Sequence, residues 1–283
     1  MDCIQFNDVT FAYPPVPGDL DAKGKQIIPA SVFSHFSGSI PSAFTSLIGP
    51  NASGKTTFMM LAAGRLIPQE GACTLFGQNI ALLSQEEKNK AASVIYQNME
   101  FESNEKVFSL LNFVYSNGTF AANAKALRSA NSSLLEECIQ VFELDKLLDR
   151  GLKELSKGEL QRVLLAFSLL YGSASVFMDE PMFAMENKQK ESALSYLKEF
   201  SSKTGTPIFI SMHELDLTRH FAEKVMLFYP DRTIDYGSPE EVMTKEDLEK
   251  AYGVPLAMLK SAEDMTREEL QQTAQAISQL QGK

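Results

Sequence analysis

The chain has 283 residues, of which 44% are hydrophobic, and its formal net charge is −10. This hydrophobic fraction excludes a globally disordered chain, and the acidic balance without a dense Lys/Arg block argues against nucleic acid as a partner. No apolar run approaches the roughly 20 residues of a membrane-spanning helix, and the first residues lack a signal-peptide pattern. The three cysteines have neither metal nor disulfide spacing, which favours reduced, buried thiols.

The N-terminal part is predicted to be rich in strands. Apolar residues alternate over 4–13, which predicts a half-buried strand that ends at Tyr13. The stretch 14–29 is rich in proline, glycine and charge and predicts a long exposed loop. The next predicted elements are a strand over 31–40, a hairpin over 71–80, a helix that begins at Ser84 and a short buried strand over 92–96.

The pattern then becomes helical and later alternates between helices and strands. Apolar residues at helical spacing over 106–149 predict a mostly helical insertion. Short apolar runs at 174–178, 207–211 and 224–228, separated by helical patterns, predict βαβ units and a parallel sheet. The last residues, 261–283, carry one apolar face, which favours either a docked helix or a frayed terminus.

The stretch 49–56 has the pattern G-x-x-x-x-G-K-[ST], which is typical of a phosphate-binding P-loop. A predicted strand over 43–48 precedes it and a predicted helix over 57–63 follows it, as the motif requires. The glycines let successive backbone N–H groups point at an anion, and the helix N-terminus adds a partial positive charge. Lys55 would then reach the phosphates of a nucleotide, and the Thr56 hydroxyl would ligate Mg²⁺. The alternative is a chance match in a glycine-containing turn.

Two carboxylates, Asp179 and Glu180, end the apolar run 176–178. A P-loop ATPase places one Asp at this point for Mg²⁺, through water or through Thr56. Glu180 would lie beyond the strand, where a carboxylate can polarise an attacking water. The alternative is a strand that merely ends in a charged turn.

A second helix N-terminus is predicted at Ser156, ahead of the apolar stretch 163–170. Ser156 and Glu159 form the S-x-x-E capping box, which is a sufficient structural explanation by itself. The functional alternative is that Ser156 and the Gly158 N–H present this terminus to a phosphate. Because the P-loop already supplies one such terminus, the second would serve a nucleotide held by another subunit.

Three further residues lie where a ligand is expected. Gln97 and His213 each follow a predicted strand, at the sheet edge where α/β proteins bind ligands. Tyr13 is an aromatic residue placed to stack on a base. A single residue of this kind more often has a structural role. The functional interpretation therefore depends on the order of all these motifs along the chain.

In order and spacing, these motifs resemble the ATP-binding subunit of an ABC transporter over about residues 3–260. The resemblance implies an α/β fold: a P-loop NTPase core with a mostly parallel sheet, an N-terminal antiparallel β subdomain and a helical insertion subdomain. It implies one ATP-binding domain over 1–260, with the insertion at about 98–170, and a C-terminal helical tail over 261–283.

The resemblance also implies a role for each motif residue. It assigns nucleotide binding to Tyr13, Gly49, Pro50, Asn51, Ala52, Ser53, Gly54, Lys55, Thr56 and Thr57; Mg²⁺ binding to Thr56, Gln97 and Asp179; catalysis to Glu180, His213 and Gln97; and contact with the ATP of a second subunit to the signature residues Ser156, Lys157, Gly158 and Glu159.

The implied activity is hydrolysis of ATP with Mg²⁺ by a homodimer docked on transmembrane permease subunits, at the cytoplasmic face of the membrane. The segments 213–217, 236–244 and 251–254 resemble importers of iron–siderophore complexes, haem and vitamin B12. That subgroup would work with a periplasmic or surface substrate-binding protein.

The chain departs from the family pattern near the signature and in one loop. Lys157 stands in place of a Gly, and Glu159 stands in place of a Gln. A carboxylate there weakens phosphate binding unless it stays in the capping box. The segment 182–186 contains Phe-Ala-Met-Glu in place of Ser-Ala-Leu-Asp, and the loop 14–29 is longer than usual.

Two other functions compete with the transporter interpretation. One is a soluble ABC ATPase that acts as a clamp or assembly module without a permease. The other is a P-loop kinase that transfers phosphate to a small molecule, against which the signature and His213 argue.

Overall fold

A computed structural model describes residues 2–21, 23–97, 99, 103–118 and 134–259. The strands are β1 Asp2–Phe11, β2 Phe33–Pro41, β3 Phe44–Ile48, β4 Glu70–Leu75, β5 Gln78–Asn79, β6 Ala92–Ile95, β7 Ser175–Asp179, β8 Ile208–Ser211, β9 Lys224–Phe228 and β10 Ile234–Gly237. The helices are α1 Lys55–Ala62, α2 Gln85–Ala91, α3 Val107–Asn117, α4 Leu134–Val141, α5 Lys157–Tyr171, α6 Asn187–Thr204, α7 Leu215–Phe221, α8 Pro239–Val242 and α9 Lys245–Tyr252.

Strands β3 and β6 to β10 form the larger sheet, in the order β10-β9-β3-β8-β7-β6. All neighbours in it are parallel except β10, which runs antiparallel to β9. Every residue of β3, β7 and β8 is buried, as expected for parallel strands covered on both faces. Because parallel strands end at the same edge, the residues that follow β3, β6, β7 and β8 gather there, and the predicted parallel sheet is confirmed.

The smaller sheet is antiparallel, in the order β2-β1-β4-β5. Its first strand ends at Phe11, two residues before the predicted end at Tyr13. The Gln69 side chain explains the difference, because it bonds both the N–H and the carbonyl of Ala12, at 3.0 and 2.6 Å, in place of a neighbouring strand. The 14–29 loop follows, and its described residues are exposed except for partly covered Pro29.

Helices α3, α4 and α5 lie within the predicted helical insertion. They share one apolar core, which includes Leu111 of α3, Cys138 of α4 and Leu165 of α5. The described part of 98–170 is therefore mostly helical, as the periodicity predicts. Residues 119–133 and the predicted tail helix over 261–283 lie outside the described residues, and the division into a 1–260 domain and a tail stays a prediction.

Local signals place two helix starts correctly. Ser84 caps α2 in a capping box with Glu87, and Ser156 caps α5 in a capping box with Glu159. In the ranges that the structure describes, no helix is both long enough and apolar enough to cross a bilayer.

Candidate active site

The P-loop joins the carboxyl end of β3 to the start of α1. Gly49, Ala52 and Gly54 have positive φ angles of 137°, 59° and 108°. A Cβ at Gly49 would lie 2.4 Å from the carbonyl oxygen of Phe228, so the loop fits against β9 only with glycine at this position. Gly54 is the N-cap of α1, and none of the described side chains caps this helix. The first N–H groups of α1 are therefore suited to an anionic ligand.

Lys55 lies inside the P-loop. Its ammonium donates to the carbonyl oxygens of Gly49, at 2.7 Å, and Pro50, at 2.9 Å. Burial lowers the pKa of Lys55, while the negative charges of Glu180 and Asp179 act in the opposite direction. The ammonium thus already lies beside the loop that a phosphate would enter.

The other P-loop residues differ in exposure. Asn51 and Ala52 are exposed, whereas Ser53 is buried. The Ser53 hydroxyl has no hydrogen-bond partner among the described residues. An unpaired buried hydroxyl costs free energy unless a ligand satisfies it, so this position suits a phosphate oxygen.

Asp179 ends β7 beside the P-loop. Its Oδ2 accepts a hydrogen bond of 2.6 Å from the Thr56 hydroxyl, and its Oδ1 accepts one of 2.6 Å from the Ser211 hydroxyl. Hydroxyl, carboxylate and amide oxygens are the kind of ligand that Mg²⁺ takes. Thr56 and Asp179 therefore fit together as residues that would hold Mg²⁺.

The Glu180 carboxylate lies between two predicted site residues. Its Oε1 is 2.6 Å from His213 Nε2, and its Oε2 accepts a hydrogen bond of 2.5 Å from Gln97 Nε2. The sheet thus brings together residues that follow β6, β7 and β8. Gln97 contacts Glu180 here, and its predicted role as an Mg²⁺ ligand stays a prediction.

The backbone at Glu180 is unusual, and its side chain has other partners than that of Asp179. Glu180 has a φ of 47°, which is uncommon for a residue with a side chain, and its N–H donates to Ser211 Oγ at 2.9 Å. The hydrogen bond from His213 is the main cause that holds the pKa of Glu180 below its usual value. Glu180 is therefore ionised at neutral pH, as a general base must be.

Tyr13 lies beside the start of α1. Its hydroxyl is 3.1 Å from the Thr57 hydroxyl, and its ring packs edge-on against Phe11 with a centroid distance of 5.1 Å. The side chain is 42% exposed. An aromatic ring held next to the P-loop has an accessible surface for a base, and this role stays a prediction.

The signature residues form the first turn of α5. The Ser156 hydroxyl accepts from the N–H of Glu159 at 3.3 Å, and Glu159 Oε2 accepts from the N–H of Ser156 at 2.7 Å. Glu159 Oε1 also accepts a 2.7 Å bond from Arg150. Burial raises the pKa of Glu159, but the hydrogen bonds from Ser156 and the charge of Arg150 outweigh it and lower that pKa.

The signature also contacts the segment 182–186. A Cβ on Gly158 would lie 2.5 Å from the Ala184 carbonyl oxygen, and the Gln161 side chain accepts from the Ala184 N–H at 2.9 Å. The Lys157 ammonium is 5.5 Å from the centre of the Phe183 ring. Two departures from the family pattern, Lys157 and Phe183, thus contact each other.

Four residues that contact the site have no role in the sequence-based prediction. Ser211 bridges Asp179 and the Glu180 N–H, and Arg150 pairs with Glu159. The Tyr252 hydroxyl accepts from the Gly49 N–H at 3.0 Å, and Arg232 donates to the Ala52 carbonyl. Ser211 carried a usable signal, since it is a polar residue at the carboxyl end of a predicted strand, and Tyr252 lies in the importer-like segment 251–254. The four residues are Arg150, Ser211, Arg232 and Tyr252.

Comparison with known proteins identifies the family. The family model described as ABC transporter matches residues 38–183, just over half of the chain. A hemin import ATP-binding protein of Rhizobium meliloti (strain 1021) is 29% identical over 221 residues, which cover 75% of this chain and 82% of that protein. A hemin import ATP-binding protein of Escherichia coli O157:H7 is 28% identical over 224 residues, which cover 76% of this chain and 83% of that protein.

The fold agrees with this result. A solved structure of an ATP binding subunit of an ABC transporter superimposes with a TM-score of 0.68 and 17% identity, and covers 92% of this chain and 98% of that one. The predicted fold class, a P-loop core with an antiparallel β part and a helical part, is confirmed. The chain therefore belongs to the ABC transporter family and is an ATPase of that family.

Proposed function

We propose that this chain powers a membrane importer of the iron–siderophore, haem or cobalamin class. Two copies would bind head to tail, each ATP lying between the P-loop of one copy and the signature of the other. The dimer would dock on permease subunits at the cytoplasmic face of the membrane, and a substrate-binding protein would deliver the cargo. The hemin importers among its relatives support this class of cargo, and the soluble-clamp alternative is not favoured.

The carboxylate cluster at the sheet edge carries the catalytic part of the proposal. Glu180 is ionised and held by His213 and Gln97, so it can take a proton from an attacking water. Asp179 is turned toward Thr56 instead. The two neighbouring carboxylates therefore have different roles: Glu180 would act as the base for the attacking water, and Asp179 would bind the metal.

The other site residues bind and orient ATP. Lys55 would leave the P-loop carbonyls for the phosphates, and Tyr13 would stack on adenine. Thr56, Asp179 and the Gln97 amide oxygen would hold Mg²⁺, which when bound neutralises charge on the phosphates. ATP favours the closed dimer only through contacts that the open form lacks, which here are those from the signature.

The test is the substitution Glu180→Gln, which keeps the shape of the side chain and removes the base. We expect hydrolysis to fall about 10²–10⁴-fold, nucleotide binding to survive, and an ATP-dependent dimer to accumulate in size-exclusion chromatography with light scattering. Asp179→Asn should weaken Mg²⁺ binding and trap no dimer. Glu86→Gln, on the exposed surface of α2, is the matched control and should behave as the unchanged protein.

Two results would overturn the proposal. Hydrolysis at the unchanged rate in Glu180→Gln would exclude Glu180 as the base, and a monomer with ATP bound would exclude the dimer. The importer class has a separate test, which is purification from membranes and identification of the associated proteins. A permease with many membrane spans is expected, and its absence would favour the soluble clamp.

A further inference from the structure

The carboxylate of Glu159 lies in the first turn of α5, where the proposed function needs a phosphate to bind. A negative side chain at this position stabilises the helix itself, because it faces the positive end of the helix dipole. The same charge repels a phosphate that approaches those N–H groups. The Glu159 side chain is 23% exposed, so water screens its charge only in part.

Arg150 offsets this charge. Its Nη1 donates to Glu159 Oε1 at 2.7 Å, and the Arg150 side chain is 37% exposed. The other terminal nitrogen, Nη2, donates to the carbonyl oxygen of Glu154. The guanidinium is therefore fixed between the turn Leu152–Glu154 and the start of α5, so it stays with Glu159 when a ligand arrives.

The backbone of Arg150 is also fixed. Its N–H donates to the Leu147 carbonyl at 2.9 Å, and its carbonyl accepts from the N–H of Val107, at the start of α3, at 3.1 Å. The charge partner of Glu159 is thus supplied by a preformed turn. A charge held in place is more effective than one on a mobile surface side chain, which must first be ordered.

We propose that Arg150 is a positioning residue that neutralises Glu159 and so allows the N-terminus of α5 to bind the phosphates of ATP held by a second copy of the chain. This inference rests on the proposed function. Arg150 acts through Glu159 and does not itself contact ATP. The Glu159 departure from the family pattern is then compensated within the same chain.

The experiment uses the Glu180→Gln protein as the parent and measures its ATP-dependent dimer dissociation constant with Mg-ATP. Arg150→Gln should weaken the dimer on the order of tenfold for each of its two ATP sites, or about a hundredfold in total. Adding Glu159→Gln to Arg150→Gln should restore the dimer to within about threefold, because the uncompensated charge is gone. Arg150→Lys, which keeps the charge, should also stay within about threefold.

Two controls separate this effect from a loss of structure. Lys106→Gln removes a positive charge from the neighbouring pair with Asp149, at 3.1 Å, which is more exposed, and should leave the dimer unchanged. ATP binding to the monomeric P-loop should be equal in all variants. If the Arg150→Gln protein does not fold, the Arg150→Met protein is used in its place, because methionine keeps the apolar part of the arginine side chain.

The outcomes distinguish this inference from the proposed function. A parent that stays monomeric with ATP overturns both. A parent that dimerises and is unaffected by Arg150→Gln overturns the inference alone. A dimer that stays weak when Glu159→Gln is added to Arg150→Gln also overturns it, because Arg150 then acts through Glu154 or directly on ATP.

Discussion

Helices α1 and α5 both begin at a proposed phosphate site, but their first turns differ in charge and in capping. Helix α1 has Gly54 as its N-cap, and its first turn contains no acidic residue. Helix α5 is capped by Ser156 and carries Glu159 in its first turn. One terminus leaves its N–H groups to a ligand, whereas the other satisfies some of them within the chain.

This difference separates two ways of preparing a phosphate site. The P-loop has the positive charge of Lys55 and the unpaired hydroxyl of Ser53. It therefore gains more interaction free energy than the signature turn when a phosphate binds. The signature turn has its own capping box, and the charge of its Glu159 is offset by Arg150. We expect the P-loop to control ATP affinity of the monomer and the signature to control only dimer formation.

The largest effect is expected for a substitution in the P-loop. Lys55→Ala removes a buried ammonium and its charge-assisted contacts, which are worth about 1.5–3 kcal/mol each. ATP affinity of the monomer should fall by roughly a hundredfold or more, and hydrolysis should be lost. Fluorescent-nucleotide titration and a phosphate-release assay measure the two quantities. Lys203→Ala, on the exposed surface of α6, is the control, and equal activity of both variants would exclude the P-loop assignment.

A smaller effect is expected for a substitution in the signature turn at the start of α5. Gly158→Ala places a Cβ 2.5 Å from the Ala184 carbonyl oxygen, and such overpacking costs about 1–3 kcal/mol. The ATP-dependent dimer should weaken by about tenfold or more in the Glu180→Gln protein, while ATP affinity of the monomer stays constant. Analytical ultracentrifugation measures the first and titration the second. A parallel loss of monomer affinity would mean that the two termini are not independent.

The smallest effect is expected for a substitution of Tyr13, beside the start of α1. Tyr13→Ala should raise the KM for ATP by a factor that corresponds to about 1 kcal/mol, as for other aromatic pairs. Tyr13→Phe keeps the ring and loses only the contact with Thr57, so its KM should stay close to that of the unchanged protein. Steady-state kinetics compares the three proteins. Equal values throughout would mean that Tyr13, which follows β1, has only a structural role.

Predictions from the sequence succeed where the determining contacts are local. The capping boxes at Ser84 and Ser156 involve residues three positions apart, so a short pattern is sufficient to place both helix starts. The parallel sheet follows from the alternation of apolar runs and helices. That sheet in turn explains why Gln97, Glu180 and His213 meet, since each follows a strand at the same edge.

Long-range contacts could not be predicted in the same way. Gly49 and Tyr252, which share a hydrogen bond, are 203 positions apart, and Asp179 and Ser211 are 32 apart. The pairing of Arg150 with Glu159 depends on the turn Leu152–Glu154, which the helical pattern of the region did not reveal. The early end of β1 depends on Gln69, a residue from a different part of the chain.

The contacts of the P-loop with the end of the described chain limit how far this protein can be shortened. Every residue that the motifs assign to the nucleotide site lies between Tyr13 and His213, so a fragment that stops after His213 would still contain all of them. It would lack Arg232 and Tyr252, which bond the Ala52 carbonyl and the Gly49 N–H. It would also lack β9, against which Gly49 packs. A fragment with all the assigned site residues would therefore have an incomplete nucleotide site.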